Sequence, residues 1–517
     1  MRAVFRRRGR LLAISLVVGM SALPRSALAQ DWVFTPRVTD QEIFTDNVLL
    51  TPTDKRSDVV TTLSPGINIT DNTERLQGTI DYAPTLYYYA FTPGQNVIGH
   101  NLYANESATV IPDLAYFDLR GFAALQPTNP GIANPSLLAN PSIIGNGFNN
   151  LTSGLPANQL SQNLTFSGSP YLVRRFDDFG TAELRYTYSD TSFTAVSSNA
   201  LQPLGVSSQN STTRTNEETA TFVTGQDFGP YEGRLLLDTS TSTGSGALTA
   251  ASQTIASLDS AYELTRRIAP LATIGHEQIQ FDGVPPVRIN DLIWGLGVRL
   301  TPSPDTTITL RYGHASGITS PNIAASFNIT PRTSITMTYS ENLTTIGQLI
   351  ANNLAVSDLD QNQQVIDSRT LLPLSIVNPL LGVQTGLFDI KQFAGTATVT
   401  LPRDHLTLSI NDSDNSVVAQ AASGPSVSQK SIAASFSWSH DLTINCAANI
   451  GIGYSYTTFA SPTNSIESLI TPSASISYVF TPSLTGSVGY SFLGRISPQP
   501  QLQLSANTFF VSLRKEF

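Results

Sequence analysis

Apolar and polar residues alternate along most of this chain with the period of two that is typical of β-strands. Between positions 292 and 300, the apolar row is Leu292, Trp294, Leu296, Val298 and Leu300. The same alternation recurs at 183–188, 307–312, 335–340 and 432–439. Successive strand side chains point to opposite faces, so each stretch predicts a strand with one apolar and one polar face. Beyond the first 29 residues, no run of apolar residues is long enough to predict a membrane-spanning helix.

The C-terminal stretch predicts the strand that closes a barrel. Phe509, Val511, Leu513 and Phe517 share one face, and the chain stops on this aromatic residue. A barrel in an outer membrane pairs its last strand with its first and places aromatic residues at the lipid interface. We therefore interpret these four residues as a C-terminal signal for the outer-membrane barrel assembly machinery. The alternative is an ordinary last strand of a soluble sheet.

The N-terminus predicts export. The first residues have the order of a cleaved signal peptide: a basic segment (Arg6–Arg10), an apolar run (Leu11–Met20) and the small-residue site Ala27-Leu28-Ala29. This pattern assigns 1–29 to the signal peptide and 30–517 to the mature barrel. The whole chain carries a net charge of −9, and loss of a leader with six Arg and no acidic residue leaves −15. This charge argues against nucleic acid or anionic lipid as a partner. Only 13% of residues are charged, which suits strands that face lipid on one side and a wet lumen on the other.

The connections alternate between short turns and long polar loops. Pro-containing turns near Pro302, Pro331, Pro402 and Pro482 all lie on the same side when strands are counted back from Phe517. A short turn is also predicted on that side at His440-Asp441. The count gives 21 strands down to Asp58, and the segment 32–45 supplies another. The predicted fold is all-β, a transmembrane antiparallel up-and-down β-barrel of about 22 strands (18–24), with short periplasmic turns and long extracellular loops. This fold predicts that the lipid of the cell outer membrane surrounds the barrel.

Three connections are predicted to be long outer loops, near 127–160, 190–214 and 343–386. The first has no charged residue, and the third has apolar residues at helical spacing near Ile346, Leu349, Ile350 and Leu354. A lumen enclosed by about 22 strands is wide enough to need a plug. Either a loop folds inward as a plug, which deletion of 343–386 would test, or these are ordinary mobile surface loops.

The candidate lumen-lining charges are few and of both signs. Parity along the strands places Glu183, Arg185, Arg299 and Arg311 on the polar face. A filter for one sign of charge would need a ring of that sign, so this pattern favours neutral polar cargo. For any single one of these residues, an ordinary solvated or paired charge in the lumen is the favoured interpretation.

The sequence offers no catalytic or cofactor motif. The five histidines have no metal-ligand spacing, and there is no nucleophile elbow or phosphate-binding loop. We therefore predict no enzyme activity, no cofactor and no metal site. The single cysteine, Cys446, leaves no internal disulfide to form.

Several short motifs resemble the outer-membrane β-barrel family associated with PEP-CTERM/exosortase systems. They include the 32–36 and 44–48 segments, Leu63-Ser64-Pro65-Gly66-Ile67, the 294–314 hairpin and the 513–517 ending. The resemblance implies a barrel that serves exopolysaccharide export, with polysaccharide and periplasmic export components as partners. From the residues alone, a general porin for small neutral solutes and a structural or adhesive surface barrel remain open.

Overall fold

The computed structural model describes residues 32–128, 156, 159–196, 210–245, 250–360, 364–420, 426–460 and 464–517. The predicted signal peptide, most of the 127–160 segment and the middle of the 190–214 segment lie outside these residues. In the described part of the chain, 22 strands form a single antiparallel sheet. The strands in chain order are β1 (Trp32–Thr45), β2 (Asp58–Asn72), β3 (Leu76–Tyr89), β4 (Val97–Ile111), β5 (Ala115–Pro127), β6 (Leu160–Phe176), β7 (Gly180–Ala195), β8 (Ser211–Thr224), β9 (Tyr231–Ser245), β10 (Ala250–Tyr262), β11 (Ile268–Phe281), β12 (Val287–Ser303), β13 (Thr306–Ala315), β14 (Ile318–Thr330), β15 (Thr333–Thr344), β16 (Ser357–Leu359), β17 (Val365–Asp367), β18 (Gly386–Thr400), β19 (Asp404–Gln420), β20 (Gln429–Thr443), β21 (Cys446–Phe459), β22 (Ile466–Thr481), β23 (Leu484–Ile496) and β24 (Leu504–Glu516).

The sheet closes on itself because β1 pairs with β24. Their register runs from Arg37↔Glu516 to Thr45↔Thr508. Each strand pairs with its sequence neighbours except that β15 pairs with β18, and β16 and β17 pair only with each other. The prediction of a closed up-and-down barrel of about 22 strands is confirmed, including the first strand at 32–45.

The two ends of the barrel differ as predicted. The turns at Pro304, Pro331, Pro402 and Pro482 lie at the end where Trp32 and Phe517 are found, and the long connections lie at the other end. Short turns mark the periplasmic end of an outer-membrane barrel, so we refer to the periplasmic and extracellular ends in that sense. One predicted turn, at His440-Asp441, is wrong. The strand β20 continues to Thr443, because Asp441 and Thr443 pair with Ala447 and Cys446 of β21.

The alternation sorts side chains between the two surfaces of the wall. Leu292, Leu296 and Leu310 are exposed on the outward surface, where lipid is the solvent. Small polar residues such as Ser431 and Ser435 are buried on the inward surface. Apolar residues at one parity suit lipid and small polar residues at the other parity suit the wet lumen, so the alternation determines which surface of each strand faces the lumen.

Besides the strands, the described chain contains one α-helix, α1 (Ile346–Val356), and 3₁₀ turns at Pro93–Gln95, Gln226–Phe228, Pro379–Leu381 and Pro500–Leu502. None of the helices in the described residues is long and apolar enough to cross a membrane. The helix α1 and both strands of the β16–β17 hairpin belong to the connection between β15 and β18. Within the predicted loop bounds of 190–214, β7 extends to Ala195 and β8 starts at Ser211.

Candidate functional site in the lumen

The connection from β15 to β18, residues 345–385, crosses the lumen, and we call it the plug segment. Its helix α1 contacts β5, β6 and β7. Between β5 and β15 lie nine strands, β6 to β14, so the contacted wall is roughly opposite the wall that carries the segment. The plug segment therefore spans the barrel from one side to the other.

Local sequence explains why α1 forms where it does. Thr345 caps the N-terminus, because its side chain accepts a hydrogen bond from the Gln348 amide at 3.1 Å. Ile346, Ile350 and Leu354 follow at helical spacing and are all buried. The helix ends at Val356, and the Ser357 hydroxyl donates to the Leu354 carbonyl at 2.9 Å. The apolar residues at helical spacing near Ile346 thus form the face of α1 that packs against the wall.

The buried face of α1 packs into an apolar cluster at the extracellular half of the lumen. The wall contributes inward residues of β4, β5, β7 and β18, and the returning chain adds its own apolar residues. The cluster contains Tyr103, Phe122, Ala124, Phe193, Ile346, Ile350, Leu354, Val365, Ile376, Leu381, Val383, Phe388 and Ile390. Burial of this many apolar side chains favours the docked position of the segment.

A polar contact fixes the C-terminal end of α1 to the opposite wall. Arg120 of β5 donates from Nη1 to the carbonyl oxygens of Ser357 at 2.5 Å and Leu354 at 3.4 Å. Asn105 of β4 donates from Nδ2 to Oδ1 of Asp358 at 3.2 Å. A cation at the C-terminus of a helix also interacts favourably with the helix dipole. Arg120 thereby satisfies carbonyl groups that the end of the helix leaves without helical partners.

The returning half of the plug segment is held by its own side of the barrel. Gln429 of β20 donates from Nε2 to the Leu380 carbonyl at 2.6 Å. The side-chain oxygen of Gln384 accepts from the Val427 amide at 2.9 Å. A second connection, between β11 and β12, also reaches over the mouth, since Val284 forms a bridge with Gln420 at the end of β19. The extracellular mouth is therefore crossed by more than one connection.

Glu183 and Arg185 lie on the inward surface of β7, where Arg185 joins a small network. Its Nη1 donates to Asp118 at 2.8 Å and its Nε donates to Glu183 at 2.8 Å. Its guanidinium lies 3.7 Å from the ring centroid of Tyr171, which stacks on Tyr116. Stacking and paired carboxylates hold this arginine in a single position on the wall.

Arg299 and Arg311 also lie inward and also pair with carboxylates. Arg299 Nη2 donates to Glu232 of β9 at 2.9 Å, and Arg311 Nη1 donates to Asp259 of β10 at 3.3 Å. The four predicted lumen residues are thus spread along the wall from β7 to β13 and do not converge on one site. Among the described residues, no group of three or more His, Cys, Asp or Glu is arranged to hold a metal ion.

Sequence reasoning missed several inward arginines, among them Arg120 and Arg37. Arg37 of β1 reaches over Gly66 of β2 to make two hydrogen bonds with Asp81 of β3, at 2.6 and 2.7 Å. A Cβ at Gly66 would lie 3.2 Å from the guanidinium carbon, so glycine provides the room for this buried pair. Strand parity already places Arg37 and Arg120 inward. Their partners lie on other strands or in the plug segment, and the sequence gives no sign of them.

Of the predicted C-terminal signal, Phe509, Val511 and Leu513 lie on the outward surface of β24, and Phe517 follows the last residue of that strand. Phe509 faces Phe44 of β1, with ring centroids 6.2 Å apart, and Val511 and Leu513 continue the exposed row. The amide of Phe517 donates to the Pro36 carbonyl at 3.0 Å, beside the closure. Their role as an assembly signal stays a prediction.

Comparison with solved structures supports the fold. The chain is similar to the siderophore receptor PiuA from Acinetobacter baumannii, with a TM-score of 0.52, 8% identity, and coverage of 95% of this chain and 82% of that chain. It is also similar to the FrpB iron transporter from Neisseria meningitidis (F5-1 variant), in its apoprotein form with a TM-score of 0.51, 10% identity and coverage of 95% and 82%. A further structure of the same transporter gives a TM-score of 0.50, 9% identity and coverage of 95% and 83%. The protein is an outer-membrane β-barrel. No protein-family model matches the sequence, and no curated protein matches it.

The predicted resemblance to the PEP-CTERM/exosortase-associated family is wrong. The similar solved structures named above are described as a siderophore receptor and an iron transporter, and not as exopolysaccharide exporters. The motifs behind the resemblance, such as Leu63-Ser64-Pro65-Gly66-Ile67, are strand and turn sequences. Alternation and turn chemistry recur in unrelated barrels, so such motifs report the architecture and not the cargo.

Proposed function

We propose that this outer-membrane barrel is a gated transporter that takes up a small ligand and keeps its lumen closed at rest with the plug segment. The observation that carries the proposal is the docking of α1 across the lumen, with Leu354 and Ser357 fully buried against the opposite wall. A segment that only decorated the surface would leave its apolar face in water. Barrels of this width in outer-membrane transporters have a plugged lumen.

Iron chelates are the first ligand class to test, because the similar solved structures are a siderophore receptor and an iron transporter. The likeness to those structures is one of fold, so the ligand class is part of our proposal. A general porin is the competing function, and it requires a continuous water-filled channel at rest. The apolar cluster around α1 argues against such a channel.

A reversible lock tests the gate directly. A Cβ at Gly347 of α1 would lie 3.6 Å from the Thr191 methyl carbon of β7, so the two thiols of a Gly347→Cys/Thr191→Cys pair would lie within reach of each other for a disulfide. The background carries Cys446→Ser, since Cys446 is the only native thiol. We expect the oxidised protein in a planar bilayer to show no openings and the reduced protein to regain rare ones. Steady conductance of the oxidised protein would overturn the gate.

Ligand uptake is tested separately from gating. Calorimetric titration of the refolded barrel with ferric complexes of catechol and hydroxamate chelators should give saturable binding, while the metal-free chelators and a neutral oligosaccharide should not. Saturable binding of the oligosaccharide alone would replace iron chelates with another ligand class and leave the gate intact. The single Cys446→Ser variant is the control in both experiments.

A further inference from the structure

Two carboxyl side chains lie on the outward surface of the wall, on either side of a single strand. Asp71 of β2 is paired with Gly78 of β3, and Gly78 is in turn paired with Glu106 of β4. Residues paired across a sheet point to the same side, and Trp32 of β1, which is paired with Asp71, is exposed on the outward surface. Asp71 and Glu106 therefore both face the side where lipid surrounds the barrel.

The glycine between them lets the two carboxyls meet. A Cβ at Gly78 would lie 2.5 Å from Oε2 of Glu106, so the Glu106 side chain occupies the space that a larger residue would need. In this position the Glu106 carboxyl lies within hydrogen-bonding distance of the Asp71 carboxyl. The two groups thus form a pair above β3.

Both carboxyls are buried, and their oxygens have no donor. Asp71 is 3% exposed and Glu106 is 6% exposed. Within the described chain, Oδ1 of Asp71 and both oxygens of Glu106 have no hydrogen-bond partner. Ionised carboxylates only accept hydrogen bonds, so two of them cannot bond to each other. Two adjacent buried negative charges also repel each other and lack the solvation of water.

No positive charge compensates the pair. The charged residues on the adjoining parts of β1, β3 and β5 face the lumen and make their contacts there: Arg37, Asp81, Asp118 and Arg120. The outward neighbours of the pair are Trp32 and Leu119. The β2–β3 turn carries Glu74 and Arg75, which are both exposed, and no ion pair in the described chain joins Arg75 to either carboxyl.

A bound metal ion would be one way to neutralise the pair, but the surroundings do not suit one. Ca²⁺ takes about six to eight oxygen ligands, and Mg²⁺ requires a near-ideal octahedron. Among the described residues, no third acidic, His or Cys side chain joins the two carboxyls. A proton needs only one oxygen from each carboxyl, and these already lie close together.

We propose that Asp71 and Glu106 form a proton-binding site on the lipid-facing surface, in which one carboxyl keeps its proton at neutral pH and donates it in a hydrogen bond to the other. The shared proton removes one of two negative charges and supplies the missing donor. A charge on the lipid-facing surface destabilises a barrel, so the proton makes this part of the wall compatible with lipid. The site is independent of the transported ligand.

Infrared spectroscopy of the full-length barrel in lipid vesicles tests the site directly. A protonated carboxyl has a C=O stretching band that is distinct from the bands of carboxylates and amides. At neutral pH we expect Glu106→Gln to lose band intensity equivalent to one carboxyl, because the Gln amide can donate to an ionised Asp71. Glu42→Gln is the matched control, since Glu42 is an outward carboxylate that accepts from the Thr61 hydroxyl at 2.9 Å. That control should leave the band unchanged.

Urea unfolding at several pH values gives a second readout. The folded barrel holds the proton that the unfolded chain releases, so stability falls as pH rises above the range in which an ordinary carboxyl titrates. Relative to Glu106→Gln, the folding equilibrium constant of the wild type should fall about tenfold per pH unit, until the folded barrel also loses the proton. Heat-modifiable mobility on gels confirms that each variant is folded.

Three outcomes would overturn the proposal. Equal band intensity in the wild type and Glu106→Gln would mean that the pair holds no proton at neutral pH. Parallel pH dependences of unfolding for these two proteins would mean the same. A band that appears in the wild type only after treatment with EDTA would identify a pair bridged by a metal ion. The wild-type spectrum alone, recorded before and after EDTA and at rising pH, decides the matter even if Glu106→Gln does not fold.

Discussion

Replacing Arg120 should release the plug segment from the wall. The Arg120→Ala change removes a charged hydrogen bond of 2.5 Å to the Ser357 carbonyl and a weaker one of 3.4 Å to the Leu354 carbonyl. A hydrogen bond to a charged group contributes roughly 1.5–3 kcal/mol, and a buried carbonyl left without a partner costs about 1–3 kcal/mol. Ser357 is fully buried, so its carbonyl has little access to water while the segment stays docked.

These terms overlap, and we expect the docked state to lose about 3 kcal/mol. At about 1.4 kcal/mol per factor of ten, the ratio of open to closed lumen should rise roughly a hundredfold. The apolar cluster around Ile350 remains, so the variant should open and close repeatedly and not stay open. Arg120→Lys keeps the charge but loses the planar donor geometry, and it should give an intermediate effect.

Single-channel recording in planar bilayers measures this ratio as the fraction of time spent open. Arg311→Ala is the matched control, since it removes an inward arginine whose partners, Asp259 and Thr273, belong to the wall. That control should alter the conductance and ion preference of an open channel without changing the open fraction. Equal open fractions for Arg120→Ala and Arg311→Ala would refute the role of Arg120 in holding the plug segment to the wall. A wild-type protein that is steadily open would refute the closed lumen itself.

Three other predictions concern the barrel wall, the plug helix and assembly. Asp81→Ala leaves Arg37 buried without its partner and should lower the free energy of unfolding in urea by about 3–5 kcal/mol. An Arg37→Met/Asp81→Leu double variant should recover most of that loss. Equal losses in both variants would argue against the pairing. Gly347→Ala should be tolerated, because a Cβ there meets its nearest neighbour at 3.6 Å, but Gly347→Leu should raise the open fraction in bilayer recordings by forcing α1 from β7; identical recordings would show that the contact is loose. Deletion of Phe517 should slow insertion by a reconstituted assembly machinery while unaided refolding into detergent stays normal, and slowing of both would indicate a purely structural role.

The strand count and both surfaces of the wall were predictable from the sequence because lipid and lumen impose opposite requirements on alternate residues. Where that contrast ends, the prediction ends too. The alternation of β19 fades near position 411, yet the strand continues to Gln420. Its outward residues there, Asp412 and Asp414, are polar because this part of the strand lies near the extracellular end, so no apolar row marks it.

The plug shows a different limit of sequence reasoning. The helical spacing of Ile346, Ile350 and Leu354 indicated a helix with one apolar face. It did not indicate the surface that covers this face, because Arg120 and Phe122 lie more than two hundred positions earlier. Only closure of the barrel places β5 opposite β15, and this arrangement depends on the number of strands and the curvature of the whole sheet. Short motifs carry no such information, which is also why the resemblance to an export family was wrong about cargo.

The attachment of the plug segment restricts how the lumen can open. Its two ends continue directly into β15 and β18, which are paired up to Thr344↔Phe388, so the segment cannot leave the barrel as a separate body. Gly386 begins β18 with a φ of 149°, a backbone conformation that suits glycine. We therefore expect α1 to swing back toward its own wall when Arg120 releases it. The passage would then open along β5 to β9, beside the fixed Arg185 network. The charges that the sequence placed in the lumen would contact the ligand only after the plug segment has moved.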